Sequence, residues 1–357
     1  MKLKKVQKGA VKLKKPKLKK VIKTVPQKIL HNLTCEWRNN FPVRPIVREY
    51  EIITSLFELQ WLSQEMSTIP AFAFDTETNT LEVLGVNKNF KCVGISISWG
   101  EDNNYYIPTG HVREEDIDNQ LTIDVVVEHL KPIFERRDVR IYGWNLKFDF
   151  HVLKRIGIDI KTRDVFDGML ASWLCDENTP NGLKENTEEN LGISQTHFKD
   201  TTSTIPNEVK KAFGYKANSR VPFDLVLIED GAPYAINDAF YTWCNCLGLE
   251  KKLVEEKMDK IYYKMYIPFL FVLFEMEEKG VTVDVPKLKQ MGEDMQEDLE
   301  ELQYKIYELA GVEFNINSPK QLGVVLFEDL GLPNAKKTKT GYSTSADILE
   351  KLAPDHK

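Results

Sequence analysis

Ala71-Phe72-Ala73-Phe74-Asp75-Thr76-Glu77-Thr78 is the stretch on which the reading of this chain turns. A short apolar run, Ala71 to Phe74, leads straight into an acid, which is the pattern of a buried strand that stops at a functional edge. Side chains two apart on a strand point the same way. Asp75 and Glu77 therefore aim their carboxylates at one spot, and oxygen ligands of this kind suit hard ions such as Mg2+ or Mn2+. Read singly, an Asp-x-Glu pair is an ordinary surface feature.

Two further clusters carry acids at telling places. In Asn145-Leu146-Lys147-Phe148-Asp149 the Asn follows a strand and is placed to cap the next helix. Asp149 lies one turn further on the same face. In Tyr234-Ala235-Ile236-Asn237-Asp238 the Tyr and the Asp are again four apart on one helix face. Taken alone, the second cluster is a cap with a solvated acid and the third an amphipathic pair. Together, Asp75, Glu77, Asp149 and Asp238 are enough to hold two divalent cations, which at about 3.5–4 Å separation activate water and stabilise the leaving oxygen of a phosphodiester.

Working outward, the pattern from 31 to 254 mixes strands and helices. Val93, Ile95, Ile97 and Trp99 alternate over Cys92–Trp99 and predict a strand with one apolar face; Asn104–Ile107 pairs with it after a turn at 100–103. Residues 123–137 switch to helical period, Val139–Trp144 is another strand, and Leu146–Ile156 is a helix ended by Gly157. This succession gives an α/β sheet with helices on its faces. Residues 180–222, with Pro180, Gly182, Pro206, Gly214 and Pro222, read as short helices and loops, and Pro233 is placed to start a helix running to about Lys252. From 255 to 357 the pattern is helical. Leu288, Met291, Met295, Leu299, Leu302, Ile306 and Leu309 mark one long amphipathic helix closed by Gly311, and Ser318-Pro319-Lys320-Gln321 is a helix start.

The net charge of -6 conceals a split. Residues 1–28 hold twelve Lys and no acid, so the remaining 329 residues carry -6 - 12 = -18. A basic arm over residues 1–30, read as disordered, ahead of an acidic body suits contact with a phosphate backbone, and equally a solubilising tail. Five scattered Cys without metal-type spacing fit a reducing, cytoplasmic setting. The most apolar run, Ile267–Phe274, is too short for a bilayer, so no membrane association is expected.

The order and context of the three clusters resemble the DEDDy branch of the DnaQ-like, ribonuclease H-like 3′–5′ exonucleases. Phe74–Leu81, Trp144–Asp149 and Tyr234–Asp238 are similar to the three exonuclease motifs of family A DNA polymerases, and Phe166-Asp167-Gly168-Met169-Leu170 to the helix between the second and third. Phe274–Val281, Phe314–Leu322 and Lys336–Ser345 resemble the start of the polymerase region and its thumb.

That resemblance implies an α/β exonuclease domain with a mixed sheet over 31–254, then an all-helical, incomplete thumb over 255–357. It implies proofreading in DNA replication, with a single-stranded 3′ end cut to release a nucleoside 5′-monophosphate. Asp75, Glu77, Asp149 and Asp238 would bind two Mg2+ or Mn2+ ions, Tyr234 would orient the nucleophile, Leu81 would wedge the terminal base, and Asn145 would support the site. Lys336, Lys337 and Lys339 would grip the backbone of a primer-template duplex. The Asp-Tyr-Ser and His-Asp-Glu motifs of the polymerase palm do not occur in the sequence. Their absence leads to the expectation of a split polymerase whose palm and fingers lie on a separate chain, or of a truncated product, and the basic start together with the lack of a 5′-nuclease domain leads to that of a phage-type enzyme. Two alternatives stand beside it: a stand-alone RNA or DNA exonuclease, and a non-catalytic DNA-binding or assembly half of a split polymerase.

Overall fold

The computed structural model describes residues 47, 49–85, 87, 89–178, 180–333, 337, 338 and 341–354. The basic arm lies outside the described residues. The chain divides into two compact units, Met1–Gly280 and Val281–Lys357.

The first unit is built on six strands: β1 (Glu51–Ile52), β2 (Ala71–Thr78), β3 (Cys92–Ser98), β4 (Asn104–Pro108), β5 (Arg140–Gly143) and β6 (Val165–Asp167), in the spatial order β1-β4-β3-β2-β5-β6. β2 pairs antiparallel with β3 and parallel with β5, and β5 pairs parallel with β6. The sheet is therefore mixed, as expected, with β3 running against its neighbours β2 and β4. The helices are α1 (Leu56–Met66), α2 (Ile123–Phe134), α3 (Leu146–Arg155), α4 (Gly168–Cys175), α5 (Leu183–Leu191), α6 (Phe198–Ser203), α7 (Asn207–Ala212), α8 (Ile228–Glu255), α9 (Asp259–Ile261) and α10 (Ile267–Lys279).

Phe72 and Phe74 meet Phe134 of α2 edge-on, with ring centroids 5.2 and 5.0 Å apart. Alternation along β2 then turns Asp75 and Glu77 away from that face. The other face is covered by α8, whose Ala232, Ala235 and Ile236 share a cluster with Val93, Tyr106 and Phe223. β3 is buried along its whole length, so it has two covered faces rather than one. Val93 also parts company with Ile95 and Ile97, which belong to the cluster of Phe72 and Phe74. A register irregularity at Glu77/Thr78 in the β2–β3 pair accounts for that departure from strict alternation.

The first compact unit runs on through α10. Tyr262, Ile267, Leu270 and Phe271 are buried in the same core as Phe150 and Phe166, with Phe150 stacked on Phe271 at 5.7 Å. Removing the α10 segment would strip apolar cover from α3.

The second unit holds α11 (Val285–Ala310), α12 (Pro319–Val324), a hairpin of β7 (Lys337–Thr338) and β8 (Gly341–Tyr342), and α13 (Ala346–Leu352). The unit is helical, as expected, apart from that short hairpin. α11 begins where the Asp284 side chain accepts from Lys287 N and ends at Gly311, whose φ of 68° is the left-handed turn that glycine tolerates. At α12 only half of the expected cap forms. Ser318 Oγ accepts from Gln321 N at 3.4 Å, while Gln321 Oε1 turns to Asn315 N at 2.8 Å.

Candidate active site

In the β2–β3 ladder Asp75 lies opposite Ser96 and Glu77 opposite Gly94. A Cβ on Gly94 would stand 2.2 Å from Tyr106 Oη, so glycine leaves room for the Tyr106 ring to lie across β3. Asp238 comes down from α8. Ligand oxygens of Asp75, Glu77 and Asp238 all lie within 4.8 Å of one another. Glu77 Oε1 is buried with no hydrogen-bond partner, a state that is costly unless a cation completes it.

Asp149 is not one of that trio. It is 2% exposed, and its Oδ1 accepts from Thr76 N at 3.1 Å and from Thr76 Oγ1 at 2.5 Å. Its charge nonetheless bears on Asp75. Burial, then Asp149, Glu77 and Asp238 in turn, raise the Asp75 carboxyl well above its ordinary range. Burial and the Asp238 charge push Glu77 up to about 8. Burial pushes Asp149 to about 7 against the two Thr76 donors. Asp238 is raised by burial and held back by Lys184. Four desolvated acids that prefer to be neutral are a pocket short of positive charge.

Lys184, at the start of α5, supplies some of that charge. Its Nζ donates to Asp238 Oδ1 at 3.0 Å, Asp238 Oδ2 at 3.1 Å and Tyr234 Oη at 3.1 Å. Tyr234 stands over the same corner, its ring centroid 5.8 Å from that of Phe223 and 6.4 Å from that of Phe198. Burial beside Asp238 raises its phenol, which therefore stays protonated and able to donate.

Asn145 does not cap α3 with its side chain. Its φ of 66° and ψ of 47° are left-handed, and it makes no side-chain cap bond. The carboxylate of Asp167 does the work instead, accepting from Asn145 N at 3.3 Å, Leu146 N at 2.8 Å and Leu170 N at 3.2 Å. One acid at the end of β6 thus ties the start of α3 to the start of α4. These amides are free to meet a buried anion because they lie at the first turns of α3 and α4, where no intrahelical acceptor exists. α8 likewise begins at Ile228 rather than at Pro233, because Asp116 Oδ2 accepts from Ile228 N at 2.9 Å and Leu227 O from Gly231 N at 2.8 Å.

Leu81 is 75% exposed on the loop after β2. Arg155 from the last turn of α3 grips that loop, donating to Val83 O at 2.9 Å and Gly85 O at 3.1 Å. Lys336 and Lys339 lie outside the described residues, and Lys337 is described only as backbone of β7.

The sequence reading gave no role to Thr76, Asp167 or Lys184. Thr76 stood in plain view between the two acids, and Asp167 within a stretch singled out for its resemblance. Lys184 had no local signal, because its partner is 54 positions away.

The donor set is all oxygen and carries an orphaned buried carboxylate oxygen, so these residues fit a hard divalent cation. The sequence profile of the family described as "3'-5' exonuclease" matches residues 50–254. The chain belongs to that family. In the second unit the profile "DNA polymerase family A" matches residues 285–357. The chain is 34% identical over 323 residues to "DNA polymerase I" of Rhizobium leguminosarum, covering 85% of this chain and 30% of that protein. It is 39% identical over 208 residues to "DNA polymerase I" of Geobacillus stearothermophilus, covering 57% of this chain and 22% of that protein. The chain thus spans less than a third of the length of these relatives. Among solved structures, the "POL domain of Pol1 from M. smegmatis complex with DNA primer-template and dNTP" shares the fold with a TM-score of 0.55 at 20% identity, over 85% of this chain and 45% of that one. Among the described residues, no helix is long and apolar enough to cross a membrane.

Proposed function

We propose that this chain removes nucleotides from the 3′ end of single-stranded DNA as the proofreading part of a family A polymerase. The observation that carries the proposal is the convergence of Asp75, Glu77 and Asp238 oxygens within 4.8 Å around a buried, unpartnered Glu77 Oε1. In this reading Asp75, Glu77 and Asp238 hold one divalent ion, Mg2+ or Mn2+, and Asp149 with Asp75 holds a second. When bound, the two ions would activate water and neutralise charge on the scissile phosphate.

The chain's own residues do the rest. Thr76 fixes the rotamer of Asp149 through two donors to one oxygen. Tyr234, kept protonated, orients the attacking water by hydrogen bond. Leu81 projects beside the terminal base, on a loop that Arg155 anchors to the helix of Asp149. Asn145 contributes a backbone turn, not a side-chain contact. Lys336, Lys337 and Lys339 are proposed to meet duplex phosphates. The site faces nucleic acid in a cytoplasmic setting.

In the second unit, Leu288, Met291, Met295, Leu299, Leu302, Ile306 and Leu309 of α11 are 37–60% exposed. An apolar stripe of this kind supports cover by further polymerase residues, carried by the same polypeptide or by a separate chain that supplies palm and fingers.

The test is release of nucleoside 5′-monophosphate from a 3′-labelled oligonucleotide in Mg2+. Asp75→Ala is expected to lower the rate by at least about a thousandfold, the scale of losing a group that meets the reacting phosphate. Degradation that persists at the parental rate refutes the assignment. An RNA oligonucleotide degraded in preference to DNA favours the stand-alone nuclease.

A further inference from the structure

We propose that Lys184 is a built-in stand-in cation: its ammonium occupies the Asp238 corner of the carboxylate cluster and must leave that corner before a divalent ion can be bound there. The inference rests on the reading of the cluster as a metal centre and adds a residue that competes for it.

The geometry is that of a ligand in a site rather than a surface ion pair. Lys184 Nζ meets both oxygens of Asp238 and the Tyr234 hydroxyl within 3.1 Å, and sits 4.2 Å from the Tyr234 ring centroid. The two side chains are only 15% and 11% exposed. Hydrogen bonds of the ammonium therefore fill lone pairs that a metal at Asp238 would need. A monocation and a dication sharing one carboxylate at this range repel each other strongly in a partly desolvated pocket.

The placement of Lys184 is also fixed by its helix. Asn186, two residues on, donates to Pro180 O at 2.9 Å and Gly182 O at 3.0 Å, and accepts from Ser172 Oγ of α4 at 2.6 Å. Thr187 accepts from Asn245 Nδ2 of α8 at 2.9 Å. These buried bonds bolt α5 to both neighbours, so the Lys184 backbone is held and only its side chain need move to vacate the corner. The charge reaches beyond Asp238, because Lys184 also offsets the burial of Asp75 and Glu77. One positive charge set against four acids keeps the metal-free pocket folded; two divalent ions supersede it.

The experiment measures Mn2+ binding to the full chain by the loss of the free-ion paramagnetic resonance signal, alongside thermal melts in chelator and in saturating Mn2+. Replacing Lys184 by Met is expected to lower the half-saturating Mn2+ concentration on the order of tenfold, the equivalent of one charged hydrogen bond no longer to be broken. The same variant melts lower than the parent in chelator, and saturating Mn2+ closes the gap. Lys184→Arg, which keeps the charge, stays with the parent in Mn2+ affinity. An Mn2+ half-saturation in Lys184→Met that is unchanged or raised overturns the proposal. Should Lys184→Met not fold, Lys184→Gln gives the same reading, since it keeps a neutral donor for Asp238. If the parent itself shows no Mn2+ binding that Asp75→Ala removes, the metal-centre reading fails first and this proposal with it.

Discussion

Thr76→Val tests the site where sequence reasoning is weakest, at a residue that meets neither metal nor substrate in the proposed chemistry. The change deletes one hydroxyl, keeps the side-chain shape and leaves the backbone N–H that also serves Asp149. Asp149 Oδ1 then retains the 3.1 Å bond from Thr76 N and loses the 2.5 Å bond from Oγ1. A hydrogen bond to a buried charged acceptor is worth about 1.5–3 kcal/mol. With Asp149 only 2% exposed, water has little access to replace the lost donor. The loosened carboxylate should cost roughly ten- to hundredfold in rate, the usual effect of removing a group that orients a ligand. The assay is single-turnover nucleotide release at saturating Mn2+, with denaturant unfolding in chelator for stability. Thr76→Ser should recover most of both. Thr76→Val combined with Asp149→Asn should cost much less than the two separate losses together, because both act through one oxygen. A Thr76→Val enzyme with the parental rate and stability, or a strictly additive double variant, refutes the assigned role.

Two other outcomes follow from buried partners. Asp167→Ala leaves the amides of Asn145, Leu146 and Leu170 without their acceptor and should destabilise the fold by about 3 kcal/mol or more, read from denaturant unfolding; a loss under about 1 kcal/mol would mean that the turn is held by something else. His111 is buried and its imidazole is lowered from 6.5 to about 4. Its Nδ1 donates to Val226 O at 2.7 Å, since a carbonyl only accepts, so Nε2 takes the Tyr106 hydroxyl at 2.8 Å. The neutral ring is favoured by folding. Its contribution is fully present above pH 6.5 and falls as pH drops toward 4, by about 3 kcal/mol in all. The stability difference between parent and His111→Gln should shrink across that window, and a difference constant between pH 7 and pH 4 would contradict it.

The sheet and its acids were legible because their signals are local. Apolar alternation at Cys92–Ser98, the Asp-x-Glu step and the Gly-closed helices each need only a few neighbouring residues. What the sequence withheld was long-range satisfaction of polar groups. The cap expected of Asn145 is delivered by Asp167, and the start of α8 is set by Asp116, 112 positions away. Neither choice is encoded near the helix it caps. Val93 left its expected face because a register irregularity is decided by the pairing of two strands, not by either one. The α10 segment joined the first unit because Phe271 found Phe150, a contact no periodicity announces.

The placement of the acids follows from the sheet's change of sense. β2, β5 and β6 run parallel, so their carboxyl ends arrive at one edge. They bring to it Asp75 and Glu77, then the turn at Asn145 that launches Asp149, then Asp167. On the other side β2 meets β3 antiparallel, so the acids stand on the strand at which parallel pairing gives way to antiparallel. α8 fills the face behind it and contributes Asp238, and α5 hangs from α8 to contribute Lys184. Three of the five charged groups at the pocket thus come from the rigid sheet and the helix it launches, whereas Asp238 and Lys184 come from helices packed upon it. The two helix-borne groups are hydrogen-bonded to each other. A change in α5 therefore acts on the Asp238 corner first, while Asp75 and Glu77 stay fixed by the ladder of β2 and β3.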